Sequence, residues 1–103
     1  MKNFKIQVNT KNESRKTQGL FFALNDNLRW FGKKPGEISE SFKVPCTIFY
    51  APNSEFPNLM GLSYDTSSVE EVCQEITMKD LEDIVKRHRL NKYRRSVYKT
   101  TLK

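Results

Sequence analysis

From Lys86 to Lys103 the chain carries eight basic side chains and no acidic one: Lys86, Arg87, Arg89, Lys92, Arg94, Arg95, Lys99 and Lys103. Lysine and arginine are almost never fully buried without a partner. A stretch this cationic therefore supplies little core, and the fold must be built from the first eighty-five residues. Those residues hold ten Lys and Arg against twelve Asp and Glu, so the formal charge of +6 is a body at −2 and a C-terminal segment at +8. A charge polarised in this way points to an anionic partner met by one end of the molecule.

A body of this length forms one core. The 37% apolar content is low, but twelve aromatic residues offset it, because each buries a large area. Phe4, Ile6 and Val8 alternate with Lys5, Gln7 and Asn9, the period of a strand with one buried face. Thr10 with Glu13 three residues on makes a capping box for a helix over 12–24. Along that helix Thr17, Leu20, Phe21 and Leu24 recur at helical spacing, and Asn25-Asp26-Asn27 ends it. Leu28-Arg29-Trp30-Phe31 reads as a second strand closed by Gly32 and Pro35-Gly36, and Cys46, Ile48 and Tyr50 as a third. Ala51 to Asn58, with Pro52 and Pro57, is a loop, since proline lacks a ladder donor. Met60, Leu62 and Tyr64 give a fourth strand, with Gly61 marking a bulge or a close backbone approach. Val72, Gln74 and Ile76 suggest a short fifth.

Thr77 then caps a helix over 78–89, with Leu81, Ile84, Val85 and His88 on one face. Acids in its first turn and bases at its end suit the helix dipole. Leu90, Tyr93 and Val97 fall on roughly the opposite face, and one straight helix would then carry two apolar stripes. The expectation is a break near Asn91. The fold class is α+β: a small sheet of four or five short strands, both helices on one face, and a basic C-terminal extension. Residues 1–89 form the compact domain, and 90–103 a basic arm or short amphipathic helix. The expected core is Phe4, Ile6, Val8, Leu20, Phe21, Leu24, Trp30, Ile48, Leu62, Ile76, Leu81, Ile84 and Val85. Trp30 has a second reading, as an exposed interface anchor.

Enzyme chemistry finds few parts. His88, alone of its kind, stands in a basic run, and no group of residues has the spacing of metal ligands. Cys46 and Cys73 lack a CxxC pattern and read as two reduced, buried thiols. Lys33-Lys34-Pro35-Gly36 lacks the frame of a phosphate loop, and the pairs Glu70-Glu71 and Glu82-Asp83 read as solvated face and helix start. The chain is expected to be non-catalytic and to need no cofactor and no metal. With no apolar leader segment and no membrane span, it is expected to be soluble, cytoplasmic and without a membrane partner.

The basic segment is the candidate site. Lys86, Arg87, Arg89, Lys92, Arg94, Arg95 and Lys99 can neutralise phosphates and release counterions, while Tyr93 and Tyr98 can stack on unpaired bases. The same segment also suits an acidic protein surface, or plain packing of Leu90, Tyr93 and Val97 on the body or a second subunit. Nucleic acid, RNA or DNA, is the leading partner, and an acidic protein the alternative.

The order of elements resembles a class of small phage-encoded α+β accessory proteins. The residues that carry the likeness are Ser14, Gln18, Phe21, Phe22 and Leu24 on the helix, Trp30 after it, then Glu75-Ile76-Thr77 and Leu81. It spans about Phe4 to Val85, and Asn27 stands where the pattern has a glycine. The resemblance implies an accessory factor of infection in the host cytoplasm, one that binds or inhibits a host component, and it transfers no catalytic residue.

Overall fold

The computed structural model describes the backbone of residues 2–64 and 73–101, with side chains as far as Arg94. Six elements follow in order: β1 (Phe4–Val8), α1 (Lys11–Leu24), β2 (Cys46–Tyr50), β3 (Met60–Ser63), β4 (Gln74–Glu75) and α2 (Met78–Thr101). The sheet runs β3-β2-β1-β4. The pairs β1–β2 and β2–β3 are antiparallel, and the short β4 lies parallel to β1. The fold is α+β.

The two helices start as the capping residues dictate. Thr10 Oγ1 accepts from the Glu13 N–H at 3.1 Å, and Glu13 Oε2 accepts from the Asn9 N–H at 3.1 Å. At α2, Thr77 and Asp80 cap each other: Thr77 Oγ1 accepts the Asp80 N–H and Asp80 Oδ2 accepts the Thr77 N–H, both at 3.1 Å. Only the Thr77–Asp80 pair is reciprocal, but each threonine satisfies an amide that a helix start leaves without an intrahelical partner.

Register decides the faces of the sheet. Ile6 stands opposite Ile48, Phe4 opposite Tyr50 and Val8 opposite Cys46. All six are buried in one cluster with Phe21 and Leu24 of α1 and Leu81 and Val85 of α2. The helices lie side by side and parallel, joined by Lys16–Glu82 at 2.6 Å and Lys92–Asp26 at 3.7 Å. The other face carries Lys5 opposite Phe49 and Phe49 opposite Gly61. A Cβ on Gly61 would lie 2.1 Å from the Phe49 ring, so the ring covers that glycine and the close approach is side chain on backbone.

The expected core is buried at Phe4, Ile6, Val8, Phe21, Leu24, Trp30, Ile48, Ile76, Leu81 and Val85, while Leu20, Leu62 and Ile84 are half-buried against it. Leu28, Cys46, Tyr50 and Met60 complete it. Trp30 is an interior residue.

Three expectations are corrected. Leu28 to Phe31 is no strand: only Arg29 pairs, with Leu59 in a single parallel bridge. The Gly36 N–H donates to the Leu28 carbonyl at 3.1 Å, and Gly32 and Gly36 take φ of 79° and 78°, so the segment closes into a loop before a ladder can extend. The expected fifth strand shrinks to Gln74–Glu75, the fourth in this sheet, and Val72 lies outside the described residues. Finally, α2 runs through Asn91 as one helix of 24 residues. It contains neither glycine nor proline, and once nucleated a helix gains one hydrogen bond per added residue. The change of apolar phase leaves the backbone intact and puts Leu90 and Tyr93 in solvent, 46% and 66% exposed.

Candidate functional site

α2 is ten residues longer than α1 beside it, and the Lys92–Asp26 pair marks the level where α1 has already ended. Nine further residues carry α2 to Thr101, about 13 Å at 1.5 Å per residue. From Arg89 to Arg94 every side chain is exposed. Helical spacing turns Leu81, Val85, His88 and Lys92 toward the body, and leaves Lys86, Arg87, Arg89, Leu90, Tyr93 and Arg94 on the outer side.

Of the predicted site residues, Lys86, Arg87, Arg89, Tyr93 and Arg94 are brought together as one exposed surface. Lys92 is exposed but leans on Asp26. The side chains of Arg95, Tyr98 and Lys99 lie outside the described residues, although their backbone is helical. No acidic residue follows Asp83 in the chain, so the outer surface is cationic throughout, with Leu90 and Tyr93 adjacent at i, i+3. His88 is half-buried and lines a shallow groove of about 330 Å³ with Ile84, Arg87 and Asn91.

The remaining reactive groups are poorly placed for chemistry. Cys46 and Cys73 are free, buried and in separate clusters. Burial pushes both thiols up, only partly offset by Lys11 near Cys46 and by Lys5 near Cys73. Each thus stays a thiol, and the thiolate is the nucleophilic form. Among the described residues no group of three His, Cys, Asp or Glu is placed to hold a metal ion, and no helix is long and apolar enough to cross a membrane.

Of the residues that carry the family resemblance, Ser14, Gln18, Phe21, Leu24, Trp30, Ile76 and Leu81 are buried, while Glu75 and Thr77 are exposed. Gln18, fully buried, donates to Ser14 Oγ (3.0 Å) and the Ser39 carbonyl (2.9 Å). Its Oε1 accepts from Trp30 Nε1 (2.7 Å) and the Ser39 N–H (2.8 Å). Both donors and both lone pairs of the amide are engaged, which ties α1 to the loop after it.

Three features went unread in the sequence. Phe31 is 89% exposed at a loop tip. An apolar groove of about 300 Å³ runs between Phe49, Ala51, Phe56, Leu59 and Cys73. A larger one, about 620 Å³, opens where β4 stops short, lined by Gln7, Glu13, Lys16, Glu75 and Met78. Only Phe31 had a visible signal, in the glycines at 32 and 36 that bracket a tight loop. Comparison with protein-family models, with curated proteins and with solved structures returned no match.

Proposed function

We propose that this chain is a non-catalytic accessory protein of the phage type that its sequence resembles, and that it binds nucleic acid through the C-terminal half of α2. One observation carries the reading: the half of α2 past Val85 presents Lys86, Arg87, Arg89 and Arg94 to solvent on a continuous helix with no acid among them. Cations held on a helix keep a fixed spacing, so several phosphates are met at once and their counterions released together. The helix diameter of about 10–12 Å also matches the B-form major groove.

Electrophoretic mobility shifts at graded salt test it. Four phosphate contacts give a slope of log affinity on log salt of about −3 to −4, or roughly a hundredfold loss between 50 and 200 mM. The triple variant Arg87→Glu, Arg89→Glu, Arg94→Glu flattens that slope by about 3 while leaving the fold intact. Absence of binding by the unmodified protein at low salt, or an unchanged slope in the triple variant, removes the proposal.

A second reading rests on Leu90 and Tyr93, exposed side by side between cations. An apolar pair at i, i+3 is the anchor pattern of a helix docking in a groove, here one with an acidic rim on a host protein. A partner that stays bound after nuclease treatment and is lost on Leu90→Ala with Tyr93→Ala favours this reading over the first.

A further inference from the structure

The loop from Leu28 to Glu37, tied to α1 through Trp30 and Gln18 and to Leu59 through Arg29, carries a second group of cations. Its tip is Phe31, 89% exposed beside the buried Trp30. The display is rigid: Trp30 Nε1 is held by Gln18, the Lys33 N–H donates to the Trp30 carbonyl at 3.0 Å, and the Gly36 N–H closes on Leu28. Glu37 is engaged with its own loop, accepting the Lys34 N–H at 3.1 Å. A phenyl ring so placed forgoes the favourable burial open to it elsewhere. Arg29, Lys33 and Lys34 flank it within three residues, Arg29 and Lys34 exposed and Lys33 half-buried, with no acid between Leu28 and Gly36. The ion pairs of the described residues involve none of the three.

Resting on the proposal that the ligand is nucleic acid, we infer that this loop is a second contact, in which an unpaired base stacks on Phe31 and the flanking phosphates meet Arg29, Lys33 and Lys34. The Phe31 ring, 89% exposed, reaches the face of a base only where that base is free of a duplex stack. Three cations against the one carboxylate of Glu37 suit a phosphate backbone, and every base offers a π-face, so the contact tolerates any sequence. A protein pocket would instead take Phe31 for its apolar volume. Leucine separates the two, since it keeps the volume and lacks the ring.

Fluorescence anisotropy at low salt, with the full chain and labelled single-stranded and duplex oligonucleotides, tests the inference. Phe31→Ala and Phe31→Leu should both weaken single-strand binding about 5- to 150-fold, the range that base–aromatic stacking supports. Duplex binding should change less than twofold. Phe31→Trp should retain single-strand affinity, and its added indole should be quenched on binding. Full affinity in Phe31→Leu, or single-strand binding within twofold of the unmodified protein in Phe31→Ala, overturns the inference. If the α2 triple variant alone loses binding, the loop contact fails and the helix reading stands. If the unmodified protein binds neither oligonucleotide, both fall.

Discussion

Replacing Gln18 by leucine keeps a side chain of similar size but removes all four of its hydrogen bonds. Trp30 Nε1–H and the Ser39 N–H are then left as buried donors without a partner, and the Ser39 carbonyl and Ser14 hydroxyl lose their donor. An unsatisfied buried polar group costs about 1–3 kcal/mol. Allowing Ser14 to find another partner and the serine backbone to shift slightly, the two stranded donors set a loss of about 3–5 kcal/mol. A domain of this size has only about 5–15 kcal/mol in total. At roughly 4–8 °C per kcal/mol the melting temperature falls by about 12 °C or more. Thermal unfolding followed by the emission of Trp30 reads the change directly, since the chain contains no other tryptophan. Gln18→Glu adds a sign test. A buried carboxylate can accept from Trp30 and Ser39 but repels the Ser39 carbonyl, and burial raises its folded pKa. Its stability should therefore be highest at low pH and fall as pH rises through that value. Ser41→Ala, at the exposed edge of the same network, is the control and should change little. A loss below about 1 kcal/mol in Gln18→Leu would refute the reasoning, because the network would then be ornamental to the fold.

Gly61→Ala drives a methyl into the Phe49 ring, so the ring must swing aside at about 1 kcal/mol, the low end of overpacking costs. In a Phe49→Ala background the same change should be nearly free, and an equal penalty in both backgrounds contradicts the contact. Leu81→Ala should cost about 2–5 kcal/mol and Leu90→Ala less than about 0.5, as urea midpoints will show, since one is fully buried and the other 46% exposed. Hydrogen bonds from the Thr77 backbone and side chain hold the Asp80 carboxyl below its ordinary value. Its contribution is complete above the unfolded carboxyl range and is lost as pH falls through the depressed value. The stability gap between the unmodified protein and Asp80→Ala should accordingly narrow below about pH 4, and a gap constant from pH 6 to pH 2.5 counts against the cap. Cys46 and Cys73 should react with a thiol reagent only as fast as the chain opens, and prompt reaction of both in native buffer would contradict their burial.

Much of this architecture was legible from local signals. The alternation of Phe4, Ile6 and Val8 and the capping pairs at Thr10 and Thr77 depend on neighbours a few residues away, which a linear reading sees. Leu28 to Phe31 has the composition of a strand, but its fate is settled by the Leu28–Gly36 closure and by the burial of Trp30 against Gln18, a contact between elements. At Gln18 nothing local reveals that four partners converge on it. Lys5 is similar: its charge suggests exposure, yet it is 4% exposed in mid-sheet, between Phe49 and Glu75. At the candidate site the cations were evident from the start. Their continuity was not, because a change of apolar phase points to a break near Asn91, whereas a helix free of glycine and proline continues without a packed face.

Among the described residues β4 and the Ile76 N–H bond to Lys5 hold the sheet's edge to the start of α2, and past Lys92 the helix continues beyond the end of α1 like a cantilever. The overhang from Lys92 to Thr101 is about 13 Å, so a bend of 10° there displaces the far end by only about 2 Å. Contacts on the packed part of the helix, such as Thr17 against Met78 and Lys16 against Glu82, therefore set the direction of the basic end from a distance. Changes there would redirect that end while every cation stayed in place.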